Sequence, residues 1–189
     1  LAPSGGERWK FRVQTFHNVG DYARSVTYVN GRCYACGDIG EPGTSDQWGA
    51  VVCLNSSSGT QIWRYDDSVN TNAFLDICAD NTGNCCVVRG DKILALSSGG
   101  SPLWSQTHNF GSVVYGVDGK IYAAGPGLGN TEPLRVVSFS TNGGINWQYQ
   151  NAGYLGPSVK VTYGDDGNIY VWGTYVVLSL DPGGSERWV

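Results

Sequence analysis

The chain has no methionine, only two histidines (His17 and His108) and a charged fraction of 15%. Each shortage narrows the range of functions. With no methionine, Leu1 is not expected to be a translation start, so a removed signal peptide or a piece of a longer chain is expected. Neither histidine sits in H-E-x-x-H, and the chain has no G-x-S-x-G elbow and no P-loop. They read as loop residues between structural units. Lys and Arg number 12 against 16 Asp and Glu, a net charge of −4, which provides no basic face for nucleic acid. No apolar run approaches the roughly 18 residues of a membrane-spanning helix.

Glycine (28 residues) and aromatics (12%) are plentiful. That composition suits short strands joined by tight turns and does not suit helices. At 189 residues, one all-β domain covering 1–189 is expected.

A repeat organises the chain. Trp9, Trp63, Trp104, Trp147 and Trp188 are spaced by 54, 41, 43 and 41 residues, and each follows a glycine by four positions (Gly5, Gly59, Gly100, Gly143, Gly184). A large apolar residue lies eight before the tryptophan at Leu1, Leu96, Phe139 and Leu180, and nine before it at Leu54. Upstream, VNGRCYACG, NTGNCCVVRG, VDGKIYAAG and DDGNIYVWG each place a glycine turn before a β-rich run. These read as two-residue hairpin turns, because Asn-Gly and Asp-Gly supply the positive φ that such turns need. The result is four antiparallel strands per repeat, the content of one propeller blade. The blades fall near 23–63, 73–104, 112–147 and 158–188, with 1–11 left over.

The pattern L-x-x-x-G-x-x-x-W after DG-x-IY resembles the repeat of the pyrroloquinoline-quinone-type propellers. The resemblance implies four-stranded blades around an axis, with the tryptophan packed between neighbouring blades. It does not bring the quinone enzymes' activity, which needs about twice as many blades and a calcium-held cofactor; no cofactor is expected here. The vicinal Cys85–Cys86 pair resembles those enzymes' cofactor-covering disulfide. On a strand, however, adjacent residues point to opposite faces, so Cys85 and Cys86 read as separate buried groups.

The two ends match each other. LAPSGGERW (1–9) and LDPGGSERW (180–188) share six of nine positions, namely Leu1/Leu180, Pro3/Pro182, Gly5/Gly184, Glu7/Glu186, Arg8/Arg187 and Trp9/Trp188. Four sets of inner strands therefore face five outer strands. A surplus strand is costly to leave exposed, and adding it to a neighbouring molecule would string propellers in series. This resembles extracellular fibres built from serially linked four-bladed propellers. The expected partner is a second copy of the chain, joined head to tail by strand exchange or by tandem linkage.

Six cysteines (33, 36, 53, 78, 85 and 86) point to an oxidising, extracellular setting and to disulfides. Cys33-x-x-Cys36 could be half a zinc site, but no matching second pair accompanies it. Aligning the repeat sets Cys33 opposite Cys53 and Cys78 opposite Cys85, leaving Cys36 and Cys86 to link adjacent blades.

The remaining features read as structure. GPGLG (125–129) precedes no helix, and Asp165, Asp166 and Asn168 coincide with a repeated turn. Asp38–Trp48 and Pro126–Pro133 are insertions expected to project from one face, where Asp46 and Trp48 could serve a glycan- or protein-binding surface. Asn55-Ser-Ser is the sole N-glycosylation sequon. The sequence predicts a non-enzymatic, secreted propeller acting as a filament subunit. A carbohydrate- or protein-binding module is the alternative.

Overall fold

The structure, a computed structural model, describes residues 6–11, 22–40, 47–68, 72–126, 133–151, 159–173 and 177–189. Strands form where apolar residues alternate or run together between glycine turns. Blade one contains β1 (Tyr22–Val29), β2 (Arg32–Gly40), β3 (Gln47–Asn55) and β4 (Gln61–Asp67). Blade two contains β5 (Asp76–Ala79), β6 (Cys85–Arg89), β7 (Lys92–Leu96) and β8 (Pro102–Gln106). Blade three contains β9 (Ser112–Tyr115), β10 (Ile121–Pro126), β11 (Leu134–Phe139) and β12 (Ile145–Asn151). Blade four contains β13 (Lys160–Tyr163), β14 (Ile169–Trp172), β15 (Val177–Leu180) and β16 (Glu186–Trp188). Each blade is an antiparallel meander with its strands in sequence order, the arrangement of a four-bladed β-propeller.

The central strands are the most buried, with every residue of β6 inside, while outer strands such as β8 and β16 are largely exposed. Three apolar clusters seal three seams. Tyr34, Cys53 and Trp63 meet Ile77, Val87 and Leu94 between blades one and two. Val88, Ile93 and Trp104 meet Val113, Phe110 and Phe139 between blades two and three. Tyr122, Val136 and Trp147 meet Val161, Val171 and Leu178 between blades three and four.

The turns differ from the two-residue expectation in three blades. Only Asn30-Gly31 is such a turn, with both residues at positive φ (47° and 78°). In blade two, Asp80 N donates to Asn84 O (2.9 Å) and Gly83 N to Asp80 O (3.0 Å), leaving a three-residue loop with Gly83 at φ 87°. Gly119 and Gly167 hold the same place in blades three and four. This loop sets Cys78 opposite Cys86 and not Cys85.

Among the insertions, Asp38 pairs with Gly49, Trp48 with Ile39 and Pro126 with Leu134. Part of each insertion therefore lengthens its hairpin. Leu1, Pro3, Gly5, His17 and Asp46 lie outside the described residues.

Candidate functional site

The repeated tryptophan is the device that joins one blade to the next. Gly100 sits at φ 87° because its turn needs the left-handed conformation. The absent side chain also makes room: a Cβ there would lie 2.8 Å from the ring of Trp63. Trp63 lies against this glycine and donates its Nε1–H to Ser98 O at 2.9 Å. Trp104 repeats the contact on Gly143 and bonds Thr141 O (2.8 Å), and Trp147 repeats it on Gly184 and bonds Pro182 O (2.9 Å).

A fourth lock has the same form. Trp9 lies on Gly59, where a Cβ would fall 2.7 Å from its ring, and donates to Ser56 O at 2.8 Å. Phe11 covers Ala50 and Val52 on the same face of blade one. Segment 6–11 thus takes the part of an outer strand belonging to a preceding blade. Glu7 pairs with Lys10 (3.5 Å), and Arg8 is exposed.

Among the described residues, no turn glycine seats Trp188. It is 46% exposed, and its one ring contact among the described residues is with Tyr170 of its own blade, the centroids 6.1 Å apart. Its neighbours are otherwise engaged: Glu186 accepts from Tyr149 of blade three, and Arg187 donates to Ser179 Oγ at 3.1 Å.

The two terminal faces match the sealed ones position by position. Tyr170, Trp172, Val177 and Trp188 of blade four correspond to Tyr34, Cys36, Val51 and Trp63, which blade two covers. Val26, Tyr28, Ala35, Val52 and Leu54 of blade one correspond to the blade-two residues that receive blade one. Val26 (65% exposed), Tyr28 (67%), Trp172 (43%) and Val177 (52%) are apolar and uncovered. No strand of blade four packs closely on blade one among the described residues.

At the axis, one residue from the same register position of each blade converges on Asp76. Ser25 Oγ donates to its Oδ1 (2.6 Å), Ser112 Oγ to its Oδ2 (2.7 Å), and Lys160 Nζ lies 3.5 Å from Oδ2. Backbone N–H groups of Ile77 and Val113 complete the set. No sequence signal marks this cluster, because its members share a position but not a residue type. Beside it opens a cleft of about 480 Å³ bordered by Tyr22, Arg24, Gly111 and Lys160. Arg24 is engaged by Asp38 (3.1 Å) and Lys160 by Asp76, so both cations already have partners.

All six cysteines are thiols here. Cys33 pairs with Leu54 and Cys53 with Tyr34, one residue from the expected match, which sets Cys33 and Cys53 on opposite faces of blade one. Cys36, Cys53 and Cys85 share the seam between blades one and two, whereas Cys78 and Cys86 face blade three. Burial raises these buried thiols, Cys36 to about 12 and Cys85 and Cys86 well above the usual range.

The Asp166 carboxylate closes its own turn. Hydrogen bonds from Tyr170 (2.6 Å) and Asn168 (2.7 Å) hold its pKa down to about 2. Asn55 is exposed, and its side-chain oxygen accepts from Ser57 N (2.9 Å) and Ser58 N (3.1 Å). Trp48 is half-buried on β3.

No protein-family model and no curated protein sequence matches the chain. Solved structures do. A quinohemoprotein alcohol dehydrogenase from Comamonas testosteroni matches with TM-score 0.65 and 14% identity, over 88% of this chain and 34% of that one. The Pan2 WD40 domain of Neurospora crassa matches at 0.64 and 13%, over 89% and 49%. The β-propeller domain of the Trilobed protease from Pyrococcus furiosus, described as having an open velcro topology, matches at 0.60 and 9%, over 89% and 57%. The chain spans between about a third and just over half of the length of these proteins. At these identities the likeness speaks for the fold alone: the chain is a β-propeller.

Proposed function

We propose that this protein is a structural, non-catalytic subunit of an extracellular filament, built by joining propellers blade face to blade face. The observation that carries the reading is the pairing of a filled seat with an empty-handed tryptophan. Gly59 holds Trp9, while Trp188, set in nearly the same sequence, lies on no turn glycine among the described residues. In a chain of subunits, Glu186–Trp188 of one copy takes the place of Glu7–Trp9 on blade one of the next. The exchange replaces one tryptophan lock by an equivalent one, so its contacts cost little. The gain is burial of Val26, Tyr28, Trp172 and Val177 against one another, at about 25 cal/mol for each Å² of apolar surface removed from water. Such a contact is heterologous, and it extends into a fibre unless its rotation closes a ring.

Negative-stain electron microscopy of the intact protein and of a variant lacking residues 1–11 tests this. Elongated assemblies of the intact chain support the reading. Single particles of both at high concentration would refute it.

A further inference from the structure

We propose that Cys78 and Cys86 form a disulfide that braces the first hairpin of blade two. The two residues stand directly opposite each other on β5 and β6, and both side chains enter the core shared with blade three. Directly opposed residues of an antiparallel pair hold their Cβ atoms about 4.5–5.5 Å apart, and a disulfide needs about 3.5–4.5 Å. A small approach of the strands makes the bond.

The repeat shows that this pair is a joint departure. Three residues after the turn glycine, the other blades carry Tyr34, Tyr122 and Tyr170, and blade two carries Cys86. Opposite those tyrosines stand Thr27, Val114 and Thr162, where blade two has Cys78. Each tyrosine ties down a turn through its hydroxyl: Tyr34 to Gly83 O (3.0 Å), Tyr122 to Asp118 (2.6 Å) and Tyr170 to Asp166 (2.6 Å). Cys86 cannot reach so far. A void of about 20 Å³ lies beside it, bordered by Cys78, Ala95, Tyr115 and Ile121. A covalent bond supplies the tie that the missing ring would have given. Cys85 is excluded as the partner of either thiol because it points into the opposite seam.

The bond forms by exchange with a small disulfide such as oxidised glutathione. One thiolate attacks it, forming a mixed disulfide and releasing a small thiolate. The second cysteine thiolate then displaces the other small thiolate, which leaves the protein S–S bond. Two S–H bonds are lost, two protons pass to solvent or to the released thiolates, and two electrons reduce the small disulfide to two thiols. Burial keeps both protein thiols protonated in the folded state, so the bond closes while blade two is still open to solvent.

This inference is independent of subunit assembly. It is tested on the full chain, refolded in a glutathione redox buffer, alkylated and cleaved before aspartate, which separates Cys78 from Cys85 and Cys86 at Asp80. A linked peptide is expected in the wild type and in Cys85→Ala, and should vanish in Cys86→Ala. Recovery of Cys78 as the alkylated thiol, or linked to Cys85, would overturn it. Cys78→Thr combined with Cys86→Tyr restores the pair used by the other blades. That variant is expected to fold and to lose the fall in melting temperature that a reductant causes in the wild type; an unchanged fall would also overturn the inference.

Discussion

Trp9 rests on Gly59 with the same ring placement and the same indole-to-carbonyl hydrogen bond that Trp63 makes on Gly100. The turn that would receive Trp188 if the four blades closed on themselves is therefore already occupied. Under the proposed reading, Trp188 then finds its seat on a second copy.

The glycines under the tryptophans should be far less replaceable than a turn glycine in open space. Gly31→Ala meets nothing within 4 Å and bears only the positive-φ penalty, roughly 1–2 kcal/mol. Gly100→Ala bears that penalty and also displaces Trp63, adding about 1–3 kcal/mol from overpacking and a weakened hydrogen bond. Urea unfolding of the two variants should rank them in that order.

Asp76 ties the inner strands together, and its loss should be felt across all four blades. Asp76→Ala leaves two serine hydroxyls, two backbone N–H groups and Lys160 without their acceptor. A loss of about 2–3 kcal/mol is expected by chemical denaturation, with Ser25→Ala costing less.

Blade two carries Arg89 where blades one and three have Gly37 and Gly125 beside a neighbouring backbone. Its guanidinium is buried, 3.1 Å from Asp67 of blade one and 2.7 Å from Asp91, and lies over the Phe74 ring. Asp67→Ala leaves that buried charge with Asp91 as its one carboxylate partner among the described residues and should destabilise by about 2–3 kcal/mol, while Arg89→Met together with Asp67→Ala should recover part of the loss. A double-mutant cycle in denaturant checks the coupling.

His108 packs against Phe110 and Phe139, and burial, followed by the nearby Arg135 charge, lowers its pKa. The unfolded chain then takes up a proton before the folded protein does. Stability from this group is present above the ordinary histidine range near 6.5, is lost as pH falls through it, and levels off below the folded value. His108→Gln should flatten that part of the stability–pH curve; an unchanged slope would remove His108 as its source.

Much of the fold was legible because the repeat wrote it four times: the glycine turns, the central apolar strands and the tryptophans all recur. Register was not legible, since it depends on turn length. Setting Cys78 opposite Cys85 across the Asn81–Gly83 turn misplaces every β5–β6 pair by one, and on a strand one residue changes the face. The matching ends were visible too, but only the structure shows Trp9 seated on Gly59 while Trp188 lies on no glycine among the described residues. The Asp76 cluster escaped notice because long-range convergence of Ser25, Ser112 and Lys160 leaves no spacing in the sequence.

The most direct test of the assembly account places a photo-reactive benzoylphenylalanine at position 188 and mixes this protein with an isotope-labelled copy that has the natural Trp188. Illumination should produce cross-links from residue 188 of one copy to the turn around Gly59 of the labelled one. Cross-links confined within single copies, or none to that turn, would contradict strand exchange between subunits.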